Sequence, residues 1–121
     1  MISEVKSLVW LGSSKKDLLD FPDSVRGEMG FALYVAQSGR THPNAKPLRG
    51  YGGAGVLEVV EDFDGDTFRT VYTVRFEDAV YVLHAFQKKS KSGRATPPKD
   101  LALVDVRLKR AQEMHKGGGK K

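Results

Sequence analysis

Arg69, His84 and the pair Lys88–Lys89 are the residues of this 121-residue chain whose types and spacing best suit chemistry, and all fall between Thr67 and Ser90. Two runs rich in Val, Tyr, Phe and Thr flank Glu77–Asp78 there, the composition of two antiparallel strands and a turn. With Glu77 and Asp78 as the loop, Phe76 faces Ala79 and Tyr72 faces Leu83; Glu-Asp is a poor two-residue hairpin pair, so a longer turn is compatible too. Side chains alternate along a strand, so one face collects Phe68, Thr70, Tyr72, Val74 and Phe76 opposite Tyr81, Leu83 and Ala85. That is the expected core face. The other collects Arg69, Val71, Thr73 and Arg75 opposite Val80, Val82, His84 and Phe86, with Lys88 following. A one-residue slip would exchange the two.

Cations and one imidazole on a sheet face suit a reaction that needs charge stabilisation and proton transfer but no metal. Cleavage of RNA is such a reaction. The ribose 2′-hydroxyl attacks its own phosphate when a base removes its proton and cations offset the charge growing on the phosphoryl oxygens. Arg suits the cation role, since its fork holds two oxygens and its charge does not titrate. Plainer accounts stand beside this one. Arg69 can pair with Glu58 on a neighbouring strand, His84 can be a packed residue, and Lys88–Lys89 can be a solvated strand end.

Other chemistries find little support. The chain has no cysteine, hence no disulfide framework and no thiolate metal site. His42 and His115 lie in a loop and near the tail, without metal-ligand spacing, and no Ser-His-Asp or paired-carboxylate pattern is visible. Gly50, Gly52 and Gly55 satisfy G-x-G-x-x-G, but a strand rather than a helix follows, which excludes the dinucleotide reading. Asp62, Asp64 and Asp66 lack the glycine and glutamate of a calcium loop and read as a solvated turn. No cofactor and no metal are expected.

The elements that must position the site follow from local pattern. Val5 to Leu11 reads as a short strand, and Ser14 with Asp17 as the start of a brief helix to about Asp20. Pro22 opens a second helix, with Val25, Met29, Ala32 and Ala36 on one face and Gly39 as its stop. Residues 40–55 read as loop, Val56 onward as a strand, and 61–66 as an acidic turn. Lys91 to Ala95 is a basic loop. Thr96 and Pro97-Pro98 then start a last helix with Leu101, Val104, Leu108 and Ala111 on one stripe. The expected fold is α+β, an antiparallel four-stranded sheet with an N-terminal helical hairpin and a C-terminal helix. It forms a single domain over 1–116, and 117–121 are a disordered basic tail.

A net charge of +5 conceals an asymmetry. Residues 84–121 hold eleven Lys and Arg against three acids, while the remainder is acidic by three. Such an end suits RNA, DNA or an acidic protein, although charge alone equally describes a solubilising surface. No run is long enough to span a membrane, and the first residues lack a signal-peptide layout, so a cytoplasmic location is expected.

Phe68-Arg69-Thr70-Val71-Tyr72-Thr73-Val74, followed by Tyr81-Val82-Leu83-His84-Ala85-Phe86-Gln87-Lys88-Lys89-Ser90 and later Thr96-Pro97-Pro98, resembles the RelE/ParE toxin superfamily. Within it the resemblance is to the HigB-like, phage-associated branch. Lys46-Pro47-Leu48-Arg49 matches a family segment leading into the second strand. The resemblance implies a RelE-like fold and the toxin of a type II toxin–antitoxin system, a ribosome-dependent messenger RNA endoribonuclease. Its partners would be messenger RNA, the ribosome and an antitoxin with a helix-turn-helix domain. It assigns Arg69 to transition-state stabilisation, His84 or Lys89 to proton movement, and Lys46, Arg49, Lys88 and Lys91 to RNA binding. The chain departs from RelE in lacking lysines on Leu57-Glu58-Val59 and a late tyrosine. Two other classes remain open: a ParE-like poison binding DNA gyrase, and a basic nucleic-acid-binding module without toxicity.

Overall fold

β-Branched and aromatic residues at alternating positions build the sheet, and glycines set its tightest turn. The computed structural model describes residues 5–88 and 96–118. In chain order the elements are β1 (Ser7–Trp10), α1 (Ser14–Leu19), α2 (Asp23–Gln37), β2 (Ala45–Pro47), β3 (Val56–Phe63), β4 (Asp66–Thr73), β5 (Ala79–Lys88) and α3 (Pro98–Gly118). The sheet has five strands in the order β1-β5-β4-β3-β2. β1 pairs with β5 in parallel, and every other neighbouring pair is antiparallel.

The expected four-stranded antiparallel sheet is therefore corrected in two respects. The fifth strand, β2, lies inside the segment read as loop, where Pro47 and a length of three residues hide it. The parallel pairing of β1 could not be read from a four-residue apolar run. Between β3 and β4, Asp64 (φ 52°) and Gly65 (φ 84°) both adopt left-handed backbone, the two-residue hairpin turn that Asp-Gly favours. The β4–β5 connection is longer than two residues, running from Val74 to Asp78.

Register decides which side chains share a face. From Thr67↔Lys88 to Val71↔His84 the β4–β5 pairing is the expected one. A β-bulge follows, and Tyr72 then pairs with Val82 instead of Leu83. The extra residue puts Leu83 and His84 on the same side of β5 and exchanges the faces of everything before them. Hence Tyr72, Val80, Val82 and Ala85 pack under α1 and α2 with Val25, Met29, Ala32 and Leu33. Leu83, Tyr81, Val71 and Phe76 pack on the opposite side with Val104, Leu108 and Ala111 of α3. Leu83 was expected on the first of these faces. Both faces of the sheet are thus covered, and the face expected to be open and polar lies beneath α3.

Candidate functional site

The start of α3 clasps two buried polar groups against that face. Arg69 on β4 is 6 % exposed, and its Nη1 donates to Glu58 Oε2 on β3 at 2.8 Å. Thr96 Oγ1, just before α3, donates to the same carboxylate oxygen at 3.0 Å. The register partner of Arg69 on β3 is Val60, so Glu58 reaches it diagonally, two residues along the same face. The Glu58 pairing that stood as the plainer account of Arg69 is the arrangement present. Among the described residues, Arg69 Nε has no hydrogen-bond partner.

His84, 5 % exposed, occupies the next strand. Its Nε2 lies 2.7 Å from Asp100 Oδ1 in the first turn of α3, and its ring stacks on Phe86 with centroids 4.9 Å apart. Arg107, two turns along α3, approaches the other ring nitrogen, with Nη1 3.4 Å from Nδ1 and 3.0 Å from the Leu83 carbonyl. A guanidinium can only donate, so Nδ1 is placed as the acceptor and Nε2–H as the donor to Asp100. Gly12 makes room for this arginine. Its φ is 55°, and a Cβ there would lie 2.6 Å from the Arg107 guanidinium. Arg107 also donates to Ser13 Oγ at 3.4 Å. Ser13, rather than the expected Ser14, is the N-cap residue of α1; its Oγ donates to the Asp17 carboxylate at 2.7 Å and makes no side-chain cap to the helix backbone. Ser14 Oγ instead donates to the Val82 carbonyl at 3.2 Å.

The structure brings Arg69 and His84 together beneath α3 but leaves the other expected residues apart. Lys46 is exposed on β2, in one cross-sheet row with Glu58, Val71 and His84. Three strand spacings place its backbone about 14 Å from that of His84. Arg49 is exposed after β2, and Lys88 is buried at the end of β5. Lys89 and Lys91 lie outside the described residues, as do the rest of the basic loop and residues 119–121. Asp100 and Arg107 escaped the sequence reading. Asp100 sits 16 positions from His84, and only the docking of α3 joins them; its one local signal is an acid in a helix's first turn.

An open groove of about 540 Å³ lies at the end of the sheet beside α1, and its walls include four consecutive β5 residues, His84 to Gln87. Among the described residues, no group of three or more His, Asp or Glu is arranged to hold a metal ion, and no helix is long and apolar enough to cross a membrane.

A family model described as "Phage derived protein Gp49-like (DUF891)" matches residues 16–109, which takes in α2, the antiparallel strands and the start and middle of α3. No curated protein matches the chain.

Proposed function

We propose that this chain, which belongs to the phage-derived Gp49-like family, a toxin-like family of the RelE/HigB type, is the toxin of a type II toxin–antitoxin system and cleaves messenger RNA on the ribosome without a metal. The observation that carries the catalytic part is the His84–Asp100 pair, with a cation on the second ring nitrogen. In this reading RNA draws Arg107 off Nδ1, and the freed nitrogen takes the 2′-hydroxyl proton. The 2′ oxygen bonds to phosphorus, the bond to the 5′ oxygen breaks, and that oxygen leaves with a proton from solvent. The products are a 2′,3′-cyclic phosphate and a 5′-hydroxyl. Asp100 stabilises the imidazolium through Nε2–H, and Arg107 turns to the phosphoryl oxygens. Arg69, assigned to the transition state by resemblance, holds Glu58, whose carboxylate also accepts from Thr96 and so fixes the start of α3.

The antitoxin belongs to the same reading. The outer face of α3 exposes Leu103, Val106 and Met114 beside Lys99 and Arg110, a surface suited to an acidic amphipathic segment of a protein whose other domain binds DNA. Cleavage of a transcript in a purified translation system tests the catalytic part. His84→Gln should slow the cuts on the order of a hundred- to ten-thousandfold, and Arg107→Lys should slow them less than Arg107→Ala. Uncut transcripts with DNA breaks would favour the gyrase-directed reading, to which the burial of Arg69 in an ion pair lends some support. Equal rates for parent and folded His84→Gln would remove His84 from the site.

A further inference from the structure

The outer side of α2 is not built like that of a solvated helix. Opposite its core face it exposes Gly27, Gly30, Phe31 and Tyr34, which form one stripe because positions three and four apart share a helix face. Phe31 and Tyr34 are each 54 % exposed. No charge stands among the four, since Glu28 is turned aside to the buried His42, whose Nε2 lies 2.6 Å from its carboxylate. The Phe31 ring rests edge-on against the same imidazole, with centroids 5.7 Å apart, and so is held in place. The two glycines are the poorest helix formers after proline, and the fold does not require them. Among the described residues, a Cβ at either would meet nothing within 4 Å. Two braced aromatic projections thus lie beside two hollows.

We infer that this stripe is where a second copy of the chain docks, α2 against α2 and antiparallel. A two-fold interface has to be its own complement, and this stripe is. With the axis level with Gly30 and Phe31, positions equidistant from it meet. Tyr34 of each copy then enters the hollow at Gly27 of the other, and the backbones approach closest at Gly30. Charge agrees with this register. Asp20 and Asp23, at the start of α2, come to the end of the other copy that carries exposed Arg40, and since Asp23 already holds Arg26 at 2.6 Å, Asp20 is the carboxylate left to meet it. Antiparallel axes also set the helix dipoles favourably. The four rings together would bury about 400 Å², roughly a quarter of an ordinary interface, so the dimer is weak and reversible, with a dissociation constant on the order of 100 μM. α3 covers the opposite face of the sheet, so each copy keeps that side free and the dimer does not depend on RNA cleavage.

Sedimentation velocity of the full chain from about 10 μM to about 1 mM tests this, and a rise from monomer to dimer mass is expected. Gly27→Gln with Gly30→Gln fills the hollows with better helix formers. It should raise the urea midpoint in dilute solution and yet weaken dimerisation at least roughly tenfold, a divergence that a purely structural role for the glycines would not produce. The chain has no cysteine, so register can be read by cross-linking. Gly30→Cys, beside the axis, should form a disulfide with its copy under mild oxidation, whereas Ser24→Cys, nearly two turns away, should not. A chain still monomeric at about 1 mM would overturn the inference and leave the stripe to a different protein. So would a dimer that the glycine double variant keeps at the parent's strength, or one that Ser24→Cys locks as fast as Gly30→Cys.

Discussion

Beneath α2 the sheet buries Met29, Leu33, Val59, Tyr72 and Val82, whereas beneath α3 it buries Glu58, Arg69, His84 and Asp100 alongside Val104 and Leu108. Both layers exclude water, but their energetics differ in kind. Apolar burial under α2 stabilises in proportion to area, at roughly 25 cal/mol per Å². A buried ion pair returns little beyond its own desolvation, so the Arg69–Glu58 pair, with the His84–Asp100 hydrogen bond beside it, fixes where α3 sits more than how tightly. The polar layer is thus the sensitive one, because removing either partner strands the other in a dry site.

The largest effect expected follows from that contrast. Glu58→Ala leaves Arg69 buried without its carboxylate and should cost about 3–5 kcal/mol in urea unfolding. The double replacement Glu58→Leu with Arg69→Met should recover most of the loss. If the double variant is as unstable as the single, the pair stabilises on its own account and the contrast fails.

The layer beneath α2 contains its own exception. The Tyr72 hydroxyl is fully buried and, among the described residues, unpartnered, and burial raises its pKa to about 12. The folded value lies above the ordinary 10, so the stability carried by the neutral phenol is complete below about pH 10 and is lost as pH rises towards 12. That loss is on the order of 2–3 kcal/mol. Tyr72→Phe should therefore flatten the alkaline limb of the stability–pH curve and cost little at neutral pH, because no hydrogen bond is removed. An unchanged limb would mean that another group governs it. Tyr81, also raised chiefly by burial, keeps some slope in the variant.

The smallest effect is at the exposed rim of the α3 layer. Tyr51 hydrogen-bonds Asp105 on α3, and its pKa is pushed up to about 12 by burial, the hydrogen bond and the carboxylate's charge. Tyr51→Phe should cost about 1 kcal/mol or less. A larger cost would make this exposed contact, rather than the buried pairs, the anchor of α3.

Sequence pattern sufficed where one local rule decides the outcome. The face of α2 through Val25, Met29, Ala32 and Ala36 and the pairing from Thr67 to Val71 were legible, because helical period and strand alternation are local. The bulge was not, since nothing around Leu83 announces an extra residue, and its effect was to move Leu83 beneath α3. Arg69 and His84 were found by type, but their partners were only half visible. Glu58 lies on an adjacent strand, within reach of strand pairing, while Asp100 and Arg107 arrive by tertiary docking, which no spacing encodes.

The parallel pairing of β1 with β5 bears on the order in which the molecule can form. Ser7 meets Ala79, a separation of 72 positions, so the first strand made must wait for the last. Contacts this remote in sequence require closure of a long loop before they return any stabilisation, and they form late. During synthesis α1 and α2 leave the ribosome with the face of Met29 and Leu33 uncovered; Val59, Phe68 and Tyr72 of β3 and β4 follow, and Val80, Val82 and Ala85 of β5 complete the cover last. A message cut or stalled before codon 82 therefore yields a product whose β1 has no strand to pair with and whose apolar face is only partly covered, a substrate for proteases and chaperones.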